Sequence, residues 1–134
     1  MTQYSEHFTR KEFADPQTGV ILLAPGFIEN LEALRVAYDD GMWVKDGCRS
    51  DQYNKWLLER GYPASKNSFH LIENEKWRTG GCCAVDIKWP GLVALARFVG
   101  LALERRWSIG IGRTFVHLDR RVDYTDLPVS LRTY

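Results

Sequence analysis

Two histidines and one aspartate hold most of the chemistry this sequence can offer. His70 follows Asn67-Ser68-Phe69 in a polar stretch, His117 closes the apolar run Phe115-Val116, and Asp86 stands among Ala84, Val85 and Ile87. A carboxylate in apolar company is costly unless it is paired or ligates a metal. Two imidazoles and a carboxylate with an open fourth position make a ligand set for catalytic zinc, which acidifies a bound water and polarises a carbonyl oxygen. Spacing alone leaves a second reading open, in which a loop His, a strand His and a buried Asp are structural. The remaining histidine, His7, lies in a polar segment and reads as a surface or local packing residue. Cys48, Cys82 and Cys83 are an odd count with two adjacent, which suits neither a disulfide framework nor a sulfur chelate. They are expected as small buried or semi-buried residues in a reducing compartment.

The elements that must position these residues can be read from periodicity and punctuation. Thr9 with Glu12 three residues on resembles a capping box before a short helical turn. Pro16 and Gly19 mark Asp15 to Ala24 as a loop followed by an extended piece. Pro25 to Asp40 carries Phe27, Leu31, Leu34 and Tyr38 at helical spacing and stops at Gly41. Met42 to Asp46 alternates as a strand, and Ser50 caps a helix that runs to about Arg60, with Gly61 beyond it. Gly61 to Gly81 is the longest irregular stretch, of a length that in compact domains tends to serve function. Cys83 to Ile87 is expected as a buried strand. Gly91 to Arg106 is expected as a helix apolar on most faces and therefore inside the fold. Trp107 to Ile111 and Thr114 to Leu118 form a hairpin around Gly110 and Gly112, and the tail from Asp123 reads as surface. The sum is one α+β domain over residues 1–134, with short, mostly antiparallel strands and a central buried helix.

Composition narrows the partners. The 134 residues are 45% hydrophobic, enough for one core, and 18 Lys plus Arg against 17 Asp plus Glu leave a net charge of +1. That balance gives no electrostatic reason to expect nucleic acid or an anionic membrane. Met1 to Arg10 lacks the apolar core of a secretory signal. Gly91 to Leu103 is interrupted by Arg97 and too short for a bilayer core of roughly 30 Å. A soluble product made in the cytoplasm, with no membrane insertion, is the expectation.

Six segments, taken in order, resemble one family. His7-Phe8-Thr9-Arg10-Lys11-Glu12-Phe13 is similar to its opening "hFt..EF", and Asp46-Gly47-Cys48-Arg49-Ser50 to its "SGyRS". Tyr53-Asn54 follows, then Asn67-Ser68-Phe69-His70, which is similar to "nSxH". Ala84-Val85-Asp86-Ile87 resembles "AxDi", and Gly110-Ile111-Gly112 with Phe115-Val116-His117-Leu118-Asp119 resembles "GiG...FvHxD". These belong to the zinc D-alanyl-D-alanine carboxypeptidases and L-alanyl-D-glutamate endopeptidases, phage endolysins included. The resemblance covers His7 to about Arg121. It implies a Hedgehog/DD-peptidase-like fold, a zinc ion on His70, Asp86 and His117, and a peptidoglycan stem peptide as substrate. It further implies that Arg49 contacts a substrate carboxylate or carbonyl oxygen and that Ser68 adds a hydrogen bond. Without the family, Arg49 reads as a surface salt bridge and Ser68 as a turn hydroxyl. A chain without a secretory signal fits a lysin released by a holin, or a virion-borne enzyme.

Two departures accompany the likeness. The family sets its Asp a short step after the first His with a Gly between, whereas here the step from His70 to Asp86 is sixteen and Cys82 takes the Gly position. The insert around Ile72 to Gly81, with Glu73, Glu75, Lys76, Trp77 and Arg78, reads as a lid or specificity loop, or as a sign of altered use. The general base is the other departure: many relatives place an acid three residues before the last His, where this chain has Thr114. Asp119 is the expected base, because strand alternation sends it to the face of His117. Its alternatives are orienting His117 or pairing with Arg120 or Arg121, and Glu73 or Glu75 is a lesser candidate for the base. Three functions follow from this reading: a zinc peptidase acting on cell-wall stem peptides, a metal-binding but non-hydrolytic binding module or virion component, and a structural domain without metal.

Overall fold

The computed structural model describes residues 3–134. A 3-10 turn (Arg10–Phe13) opens it, and Glu12 closes that turn by accepting from the Thr9 N–H at 2.6 Å. Helix α1 (Phe27–Tyr38) follows, then strand β1 (Val44–Asp46), helix α2 (Asp51–Glu59), strand β2 (Ala84–Lys88) and helix α3 (Leu92–Glu104). Strands β3 (Ser108–Ile111) and β4 (Phe115–Asp119), the short helix α4 (Arg121–Tyr124) and strand β5 (Leu131–Thr133) complete the chain. The five strands form one sheet in the order β1-β2-β4-β3-β5, antiparallel except for the β3–β5 pair. The α+β architecture with a mostly antiparallel sheet is therefore as the sequence indicates.

Alternation along the two central strands divides the sheet into a core face and a chemical face. Val85 and Ile87 of β2 and Val116 and Leu118 of β4 join Phe27, Leu31, Leu34, Phe98 and Trp107 in the hydrophobic core. With a side-chain period of two, Asp86 and His117 then project from the opposite face. The register pairs Asp86 directly with His117 and Ala84 with Asp119.

One expectation is corrected. Helix α3 is not a central buried helix. Only Phe98 and Ala102 of it are buried, while Leu92 is 79% and Val93 97% exposed. Its apolar residues outnumber the positions on its packed stripe, so composition overstated its burial. The tail beyond Asp123 lies at the surface as expected, and within it Leu131–Thr133 adds a strand to the sheet edge alongside β3. Three exposed residues carry no periodicity by which such a strand could be read. All three cysteines are free and buried, as expected.

Candidate metal centre

Each ligand candidate arrives from a differently built segment. His70 sits in the irregular stretch, but its backbone is held as firmly as a strand. Its carbonyl accepts from Arg49 N–H at 2.8 Å, Ile72 N–H donates to Arg49 O at 3.0 Å, and Cys83 N–H donates to Phe69 O at 3.0 Å. The loop is thus laid between residue 49 and the start of β2. Ser68 Oγ accepts from His70 N–H at 3.1 Å and fixes the turn. Asp86 and His117 need no such scaffolding, being cross-strand partners in the middle of the sheet.

The hydrogen bonds decide which nitrogen of each imidazole is free. His70 Nδ1 lies 2.7 Å from the Gly47 carbonyl, which can only accept, so Nδ1 carries a proton and Nε2 is the ligand atom. Gly47 is required there, since a Cβ on it would meet the Phe13 backbone at 2.8 Å. His117 Nε2 is 2.8 Å from Asp119 Oδ2, which leaves Nδ1 as the ligand atom. His70 Nε2 and His117 Nδ1 both converge on Asp86 Oδ1, at 3.1 and 2.9 Å. The three candidate ligand atoms all lie within 4.8 Å of one another, so the group could hold a metal ion. Bonds of about 2.0 Å to nitrogen and oxygen give a tetrahedral edge of roughly 3.3 Å. The two N···O distances fall just below that edge, and the donor set suits a borderline divalent ion.

Charge is arranged around the same point. Burial alone would raise the Asp86 carboxyl, but the adjacent His70 and His117 outweigh it and hold Asp86 well below the ordinary carboxylate range. Burial would lower the His117 imidazole, but its contacts with the accepting carboxylates of Asp119 and Asp86 raise it instead. The second Asp86 oxygen faces Arg49, whose Nη2 is 3.8 Å away and whose main partner is Asp46 at 2.7 Å. Arg49 Nη1 reaches Ser68 Oγ at 3.5 Å. Arg49, Ser68, His70, Asp86 and His117 all line one cleft of about 480 Å³.

Asp119 lies on the face of His117, as strand alternation predicts. It is wholly buried behind His117, with Arg121 Nε on Oδ1 at 2.9 Å and Arg121 Nη2 on Oδ2 at 2.7 Å. Its burial is offset first by the Arg121 bond and then by His117, and its carboxyl stays well below the usual range. The hydrogen bonds make Asp119 an orienting partner of the imidazole, and the base assignment draws no support from them. Arg121 pairs with it as one alternative foresaw, whereas Arg120 turns to Asp123 at 2.7 Å. Glu73 and Glu75 line a separate groove and not the cleft of the metal site. His7 lies far from the site and binds Glu32 through Nδ1 at 2.5 Å. Sequence reasoning overlooked Gly47 and the tail residues Arg132 and Tyr134, which reach the cleft. A backbone carbonyl has no signature by residue type, and the tail is short and exposed.

Comparison of the chain with protein-family models, with curated proteins and with solved structures returns no match. Among the described residues no helix is long and apolar enough to cross a membrane.

Proposed function

We propose that this chain is a zinc-dependent peptidase that cleaves a peptide bond in bacterial peptidoglycan stem peptides, as a carboxypeptidase or endopeptidase of the family its motifs resemble. The observation that carries the reading is the convergence of His70 Nε2, Asp86 Oδ1 and His117 Nδ1 on the floor of an open cleft, beside a buried arginine. These three atoms would hold the ion. When bound, zinc polarises a carbonyl group and brings the ionisation of water near neutral pH.

The chain's own groups supply the remainder. Arg49 is held in place by Asp46, and its guanidinium is aimed into the cleft to meet a carbonyl oxygen as negative charge develops on it. Ser68, within reach of Arg49, offers a hydroxyl to the peptide backbone. Asp119 keeps the His117 ring turned toward Asp86. Phe69 and Trp77, stacked with centroids 6.1 Å apart, give the cleft an apolar wall.

One observation favours a second reading, a metal-binding module without hydrolysis. Among the described residues, Asp86 is the one carboxylate lining the cleft, so no acidic side chain is placed to take a proton from water. Elemental analysis of the purified protein, with digestion of purified peptidoglycan with and without chelator, separates the two. Equimolar zinc with chelator-sensitive release of stem peptides is the expected result. Zinc without release would favour the binding module, and no metal would reject both.

A further inference from the structure

The insert, which departs from the family pattern, and the tail both line the same cleft. Asn74 is buried and clamps the insert, donating through Nδ2 to Asn67 O and Ser68 O, each at 3.1 Å. Its Oδ1 accepts from Trp77 N–H at 2.9 Å. Trp77 is thereby laid against Phe69, with Lys76 Nζ 4.7 Å from the Trp77 ring centre. In the tail, β5 brings Arg132 level with Gly110. The Tyr134 ring covers Gly110, where a Cβ would stand 2.7 Å from the ring, and lies 5.5 Å from the Phe115 centroid. Tyr134 Oη is 3.2 Å from Arg132 Nη2.

Charge in the cleft is one-sided. Among the described residues, four cationic side chains line it, Arg49, Lys76, Arg121 and Arg132, against the one acidic side chain of Asp86. Arg49 is engaged by Asp46 and Asp86, and Arg121 by Asp119. Among the described residues, Lys76 and Arg132 form no ion pair. One exposed lysine is ordinarily just a solvated cation. Two cations from segments distant in sequence, lining one concave site in which the one acidic side chain among the described residues is a metal-ligand candidate, focus positive potential on whatever enters. The whole chain, by contrast, carries a net charge of only +1.

We propose that Lys76 and Arg132 select the ligand of this cleft by its carboxylates, so that a peptide with free acid groups on either side of the metal centre is bound in preference to the same peptide with those groups amidated. The inference rests on the peptidase reading for the identity of the peptide, and on the charge pattern for the preference. Arg132 can meet a carboxylate bidentately, and Lys76 as a point charge.

The test is calorimetric binding to the zinc-loaded protein of two probes, needing no turnover. One probe is a stem tetrapeptide with free carboxylates, and the other is the same peptide with its carboxylates converted to amides. The acid form should bind several-fold tighter, and this preference should shrink with added salt. Lys76→Met and Arg132→Met should each reduce it roughly three- to fivefold. Lys76→Arg and Arg132→Lys should retain most of it. Both positions are exposed, so zinc content and melting should be unchanged in every variant. Equal affinity for the two probes, no binding of either, or a preference that survives both methionine substitutions would overturn the inference. Acid preference in a protein that releases nothing from peptidoglycan would reject the peptidase reading alone. Release without acid preference would reject this inference alone.

Discussion

The carboxylate of Asp86 stands against two imidazoles through one oxygen and faces Arg49 with the other. Removing it takes away the carboxylate that the two imidazole ligand atoms share, while Asp46 and Asp119 keep their own pairs with Arg49 and His117. Asp86→Ala should therefore abolish metal binding and remove the metal-dependent rise in melting temperature, since an ion bound by the folded chain alone stabilises it by linkage. Unchanged zinc content in that variant would remove His70-Asp86-His117 as the centre. Asp119 works one step further out. With its carboxylate gone, Arg121 is left unpaired and His117 is free to rotate. Asp119→Asn should weaken zinc binding about 10- to 100-fold, the usual cost of losing an orienting partner, as read by competition with a chromogenic chelator. A residue acting only as base would leave that affinity untouched.

At the scale of elements, the site was legible where it lies on strands and less so where it lies on loops. Alternation put His117 and Asp119 on one face, a buried strand was expected around Asp86, and the register makes Asp86 and His117 partners. The His70 loop is different. Its hold on Arg49 and Cys83 runs through backbone bonds, which no residue type announces, and the residues alone left His70 undecided between ligand and structural histidine. The capped ends could be read because a cap is a local matter: Ser50 Oγ accepts from Tyr53 N–H at 3.0 Å, as its position before the helix implied. Asp15 could not, since its partners include Ser50, far along the chain. It accepts from Ser50 N–H at 2.8 Å and from Thr18 N–H at 2.7 Å, tying the early loop to the start of α2 beside Arg49. Burial raises its carboxyl, but the bond from Ser50 and those from Thr18 outweigh this and leave it below the ordinary value. A depressed carboxyl stabilises the fold above its unfolded pKa of about 3.9 and loses that contribution as pH falls through the lower folded value. Asp15→Asn should cost roughly 1–3 kcal/mol at pH 7. In denaturant titrations the gap from the unsubstituted protein should narrow below about pH 4; a gap of constant size would exclude the ionised form as its source.

At the scale of the molecule, one sheet carries both the core and the site, and the residues that flank the cleft come from the middle of the chain and from its last residues. Cutting the chain before Leu131 should leave the core intact, because β5 is exposed along its whole length. It should lower affinity for peptide while sparing zinc. A collapse in melting temperature would mean that the tail is structural. Cys48, Cys82 and Cys83 have another use: all are free and wholly buried. Cys83 hydrogen-bonds the His70 loop on one side and Arg120 on the other, immediately before the strand that carries Asp86. A thiol reagent added to the native protein can modify these sulfurs only when that junction opens, so labelling time becomes a clock for local unfolding around the metal site. Ions that bind the closed form should slow that clock in proportion to their occupancy. The chain thus carries an internal reporter of its own breathing, with no label to be introduced.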